Sequence, residues 1–62
     1  MTDAELTPDG LARLTADGHA VELAAPGAEA VRLHPHPNPD LARRELAAVR
    51  AFLAAVLAAA GR

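Results

Sequence analysis

Cysteine, serine and lysine are absent from this chain, and each absence removes a class of chemistry. Without cysteine there is no disulfide to staple a small fold and no thiolate to hold zinc. Without serine as well, the hydroxyl nucleophiles reduce to Thr2, Thr7 and Thr15, which form no nucleophile–base–orienter set. Acid–base pairs need a pocket that perturbs them, and 62 residues are too few to wall one off. The glycines at 10, 18, 27 and 61 form no phosphate-binding loop. The chain therefore reads as a non-enzyme with no cofactor. Six arginines are outweighed by eight acids, and Phe52 is the only aromatic besides histidine. A nucleic-acid binder usually shows a basic excess and an aromatic platform, so no nucleic-acid partner is expected. The uncharged stretch after Arg50 falls well short of the ~20 residues that cross a bilayer. Thr2-Asp3-Ala4-Glu5 is polar and acidic where a signal peptide is basic and then apolar. A cytoplasmic location without membrane contact is the expectation.

What remains is one domain near the lower size limit for independent folding. The hydrophobic fraction of 52% is largely alanine, and the large apolar side chains run from Leu6 to Leu57 with wide gaps. A core of that size stabilises a fold by only ~3–5 kcal/mol, so help from a second chain is expected.

Thr7-Pro8-Asp9 carries a helix start: a capping hydroxyl, a proline at the first position, and an acid at the positive end of the dipole. Leu6 and Leu11 sit at staple positions, Leu11 and Leu14 give an apolar stripe, and Gly18 is a natural terminator. The spacing predicts a helix over about 8–17, weakened by Gly10, with Thr15 on its surface. His19 to Ala24 and Ala30 to His34 alternate apolar with polar around Ala25-Pro26-Gly27-Ala28, a hairpin signal with strands over about 19–24 and 30–34. A two-residue loop would set Val21 against Arg32 and mix the faces. A three-residue loop pairs Val21 with Leu33, Leu23 with Val31 and Glu22 with Arg32. Pro35, Pro37 and Pro39 end the second strand in an extended connector. Asn38-Pro39-Asp40 repeats the helix-start pattern, and Leu41, Leu46, Val49, Phe52, Leu53, Val56 and Leu57 keep helical spacing over about 39–60. They fill an arc of roughly 160°, opposite an alanine face of Ala47, Ala51, Ala54, Ala55 and Ala58. The fold expected is a single small α+β domain over 1–62, helix–β-hairpin–helix.

Two clusters could carry binding. His34 and His36 point the same way in extended chain, and His19 lies beside Pro35 in the hairpin register, so three imidazoles could gather at a zinc ion. Histidines in a proline-punctuated loop are more simply connector residues, and no metal site is expected. Asp40 reaches Arg43 and Arg44 at helical spacing, an ordinary salt-bridged first turn. Taken with Arg32 and His34, the same arginines make a basic patch around the outer strand. An extended acidic peptide could add there.

A short helix bearing Leu11-Ala12-Arg13-Leu14, then Gly18, then Val21-Glu22-Leu23 and Val31-Arg32-Leu33, then a helix opening with Asn38-Pro39-Asp40-Leu41, resembles the TubC-type (β-hairpin) N-terminal docking domains of nonribosomal peptide synthetases and hybrid polyketide synthases. The chain departs from that pattern in its Pro-Gly turn, in lacking a hairpin aromatic, and in carrying Arg50 where a lysine is common. The resemblance implies protein–protein docking in natural-product biosynthesis: a short C-terminal peptide of an upstream synthetase subunit adds as a strand, ordering the assembly line. Val31, Arg32, Leu33 and His34 would line that site, and Arg43 and Arg44 would read acids in the peptide. It also implies a homodimer, and a chain that is the N-terminal piece of a larger protein. The alternative is a small dimeric bacterial regulator or antitoxin-like protein, against which the acidic balance argues.

Overall fold

A computed structural model describes residues 7–61. Its elements, in chain order, are α1 (Pro8–Leu11), β1 (Ala12–Leu14), β2 (Val21–Leu23), β3 (Val31–Arg32) and α2 (Pro39–Ala60). The three strands form one antiparallel sheet in the order β1-β2-β3, so the protein is an α+β domain with one strand more than a hairpin.

That extra strand corrects the helix expected over about 8–17. Thr7 does cap the start, accepting from the Gly10 N–H at 3.1 Å, but α1 stops after four residues. The three-residue interval between Leu11 and Leu14 suits a helix only if residues between them can stay helical. Gly10, within the first turn, weakens any longer helix, and Ala12-Arg13-Leu14 alternates in, out, in. Ala12 is fully buried while Arg13 is exposed. Pairing with β2, which sets Ala12 against Leu23, Arg13 against Glu22 and Leu14 against Val21, satisfies both the backbone and the alternation. Leu6, the other half of the expected staple, lies outside the described residues.

Gly18 serves a turn between strands rather than a helix end. Its φ of 76° is the left-handed conformation that glycine adopts without a steric penalty. The surrounding loop is tied by the Thr15 N–H donating to the Ala20 carbonyl and the Gly18 N–H to that of Thr15, both at 2.9 Å. Thr15, expected on a helix surface, is buried, donating its hydroxyl to Asp17 and accepting from the Ala20 N–H. Asp17 also accepts from the His19 N–H. The Thr15 hydroxyl first, and the His19 amide second, hold the Asp17 carboxyl below its ordinary value.

The hairpin register matches the sequence reading: Glu22 pairs with Arg32 and Leu23 with Val31, and the Leu33 N–H donates to the Val21 carbonyl at 2.9 Å. The strands are shorter than the 19–24 and 30–34 expected. Between them Ala25 to Ala28 makes a turn, closed by the Ala28 N–H on the Ala25 carbonyl. Pro26 and Gly27, with φ 78° at Gly27, suit its two central positions.

α2 matches its expected span of about 39–60. Asn38 caps it, accepting from the Asp40 N–H at 2.9 Å, and Gly61 follows its last residue. At 22 residues it is about 33 Å long, against strands of two or three residues that span about 10 Å or less. Its C-terminal turns therefore run past the sheet, and Val56 stays 44% exposed. Among the described residues no helix is long and apolar enough to cross a membrane.

Among the described residues the fully enclosed apolar positions are Ala12, Ala20, Val21 and Ala42. Three of the four are alanines, which a reading centred on large side chains passes over. Ala12 on β1 and Ala42 on α2 are both fully enclosed, while Leu46, Val49, Leu53 and Leu57 of α2 are half-buried.

Candidate functional site

The inner face of the sheet, turned to α2, holds Ala12, Leu14, Val21, Leu23, Val31 and Leu33. The outer face holds Arg13, Glu22 and Arg32 in one cross-strand row, with Arg13 Nε 3.4 Å from Glu22 Oε1. Each outer strand has a free side, and the two sides differ.

Beyond β1, Ala12 turns its backbone away from β2. Its N–H donates to the Pro8 carbonyl, and its carbonyl accepts from Arg50 Nε at 3.0 Å. Arg50 also lies 3.6 Å from Asp9, so one side chain joins α2, β1 and α1. Beyond β3, among the described residues, there is no further strand. Leu23–Val31 and Val21–Leu33 flank the Glu22–Arg32 pair. Alternation along an antiparallel ladder then turns the Arg32 N–H and C=O outward.

Beside this open edge runs an apolar groove. Leu23 and Leu33 form its sheet wall and Ala48, Val49, Phe52 and Leu53 its helix wall; Glu45 is its one charged lining residue. A smaller cleft between Leu11, Leu23 and Leu53 continues it toward α1. Phe52 is 68% exposed, Val31 56% and Leu41 41%. The 160° arc read from the sequence is thus wider than the sheet covers: residues 42, 46, 49 and 53 face the sheet, and Leu41, Phe52 and Val56 are left over.

Of the residues expected to bind a partner, Val31 and Leu33 lie on the groove side of β3, Arg32 on the outer face, and His34 exposed just beyond. Arg43 forms an ion pair with Asp40 inside the first turns of α2. Nine residues separate Arg43 from Phe52, about half a turn in angle, so Arg43 is directed away from the groove; Arg44 is exposed on the nearer flank. The basic patch drawn from the sequence is therefore divided, with Arg32 at the open edge and Arg43 on the far side of α2. Phe52, Ala48 and Glu45 were not among the expected site residues. The signal for them was present in an apolar arc too wide for a helix resting on two or three short strands.

The histidines form a tie instead of a cluster. The His36 N–H donates to the His19 carbonyl at 2.7 Å. Nδ1 of His19 lies 3.0 Å from the His36 carbonyl, and Nε2 of His36 lies 3.1 Å from Glu45 Oε1. A carbonyl and a carboxylate only accept, so both ring nitrogens act as donors. His34 is exposed and takes no part in these bonds. Among the described residues no three His, Asp or Glu side chains converge to hold a metal ion.

No protein-family model, no curated protein and no solved structure matches the chain.

Proposed function

We propose that this domain is a docking module that captures an extended peptide as a fourth strand on the open edge of β3. The observation that carries the reading is the outward-facing N–H and C=O of Arg32 beside an apolar groove. Main-chain hydrogen bonds supply affinity in strand addition, and alternate side chains supply specificity. The peptide residue opposite Arg32 shares the outer face with it, where an acid is favoured. Its neighbours turn toward α2 and into the groove, where apolar side chains fit. In keeping with the resemblance to docking domains of peptide synthetases, the partner is a C-terminal peptide of an upstream synthetase subunit. Val31, Arg32, Leu33 and His34 then form the edge, Arg44 contributes charge from the near flank of α2, and the chain binds without catalysing.

A heteronuclear NMR titration with C-terminal peptides of synthetase subunits tests this. Shifts concentrated on Ala30 to His34 and on Ala48 to Leu53 are expected. A spectrum unmoved by every peptide would overturn the reading.

The exposed stripe of Leu41, Phe52 and Val56 favours a second association, a homodimer through α2. Analytical ultracentrifugation decides it: a dimer is expected at micromolar concentration, and a monomer throughout removes it.

A further inference from the structure

We propose that Glu45 selects for a cationic side chain in the peptide that occupies the groove, a specificity opposite in sign to that of Arg32 on the other face. The inference rests on the docking reading above.

The described ion pairs fall into two kinds. Arg13 with Glu22, Arg43 with Asp40 and Arg50 with Asp9 each set a permanent cation against an acid. Glu45 has only His36, which donates one hydrogen bond to it and carries no permanent charge. The residues three and four positions away along α2, namely Leu41, Ala42, Ala48 and Val49, provide no cation at helical spacing. Glu45 is about one-third exposed on its side chain and lines a groove that is otherwise apolar. Its field is therefore screened less than that of a carboxylate in open water.

The carboxylate is also aimed. His36 sits between Pro35 and Pro37, its backbone is bonded to His19 on both its N–H and C=O, and its Nε2–H fixes one Glu45 oxygen. The second oxygen is left to accept. An inward-facing lysine or arginine of an added strand would lay its methylenes along Phe52 and Val49 and bring its charge to Glu45. The pattern that fits the two faces together is apolar or basic inward, acidic outward.

The test uses short peptides of alternating leucine and glutamate in which each leucine in turn is replaced by lysine or by norleucine. Their affinities are measured for the 62-residue chain and for Glu45→Gln, which keeps an acceptor for His36. At one position, the lysine-to-norleucine affinity ratio is expected to fall by roughly threefold or more in Glu45→Gln, in the range of a partly screened ion pair. The lysine-to-norleucine ratio should also fall between low and high salt with the unsubstituted protein and stay constant with the variant. Equal ratios in both proteins at every position, with the peptides still binding, would overturn the inference and leave the docking reading intact. Failure of the whole peptide set to bind either protein would remove the docking reading and this inference together.

Discussion

The two edges of the same sheet are braced to different degrees. At β1 the backbone of Ala12 is satisfied on its outer side by the Pro8 carbonyl and by Arg50. At β3 the backbone of Arg32 faces outward next to exposed Val31 and Phe52. An open edge is a hazard that small proteins ordinarily cover, charge or shorten. Here β3 is only two residues long and carries an arginine, which limits indiscriminate pairing without closing the edge. On one side Arg50 and the Pro8 carbonyl engage the Ala12 backbone, while the other side stays open beside the groove, the difference on which the docking proposal rests.

The largest effects are expected on the β1 side of the sheet. Ala12→Asp places an unpaired carboxylate at a fully buried position. The cost of several kcal/mol exceeds the stability of so small a core, and circular dichroism should report an unfolded chain. Leu53→Ala removes a side chain that borders both the groove and the cleft near α1. Because Leu53 is only half-buried, a loss of about 2 kcal/mol is expected, the low end for such truncations, measured by urea denaturation. Arg50→Ala uncovers the Ala12 carbonyl and should cost about 1–2 kcal/mol. It also creates a second open edge, so concentration-dependent association in sedimentation is expected to rise.

At the open side the expected effect on stability is smaller and that on binding larger. Arg32→Pro removes an N–H that bonds to nothing in β2, which an edge strand tolerates. Stability should fall by about 1 kcal/mol or less while strand addition is lost, whereas Arg32→Ala keeps part of the binding. Equal binding by Arg32→Pro and Arg32→Ala would show that the edge backbone is not used.

The smallest effect belongs to the β1–β2 turn. Hydrogen bonds from Thr15 and His19 depress the Asp17 pKa in the folded state. Its stabilising contribution is therefore present above the unfolded value of about 3.9 and is lost as pH falls through the lower folded value. Asp17→Asn should melt slightly below the unsubstituted protein from pH 5 to 7. The difference should close on acidification below that range.

Much of this was legible in the residues. Thr7 and Asn38 could be read as caps because a side-chain acceptor before a proline and an acid is a local arrangement. Glu22 against Arg32 and Leu23 against Val31 could be read as a register because a one-residue slip would turn every side chain to the wrong face. β1 could not be read, since Leu11 and Leu14 suit a helical turn, while the alternation at Ala12, Arg13 and Leu14 matters only once β2 is alongside. The alanine core was equally hidden. An alanine is buried by what approaches it, and nothing in its neighbours along the chain announces that Ala12 and Ala42 will be enclosed.

The site divides in the same way. Val31, Arg32 and Leu33 were legible as edge residues, because the prolines that follow close off the strand and its pairing on one side is set by the hairpin. Glu45, His36 and Phe52 were not, because their contacts join positions nine or more residues apart across the connector. Sequence alone determined the caps, the long helix, the turn at Pro26-Gly27 and the hairpin register, all decided by chemistry between near neighbours. Tertiary structure alone decided which edge Arg50 braces, which alanines form the core and which flank of α2 stays bare. Those outcomes depend on how closely α2 can approach a three-stranded sheet, a matter of volume and backbone pairing between segments distant in the chain.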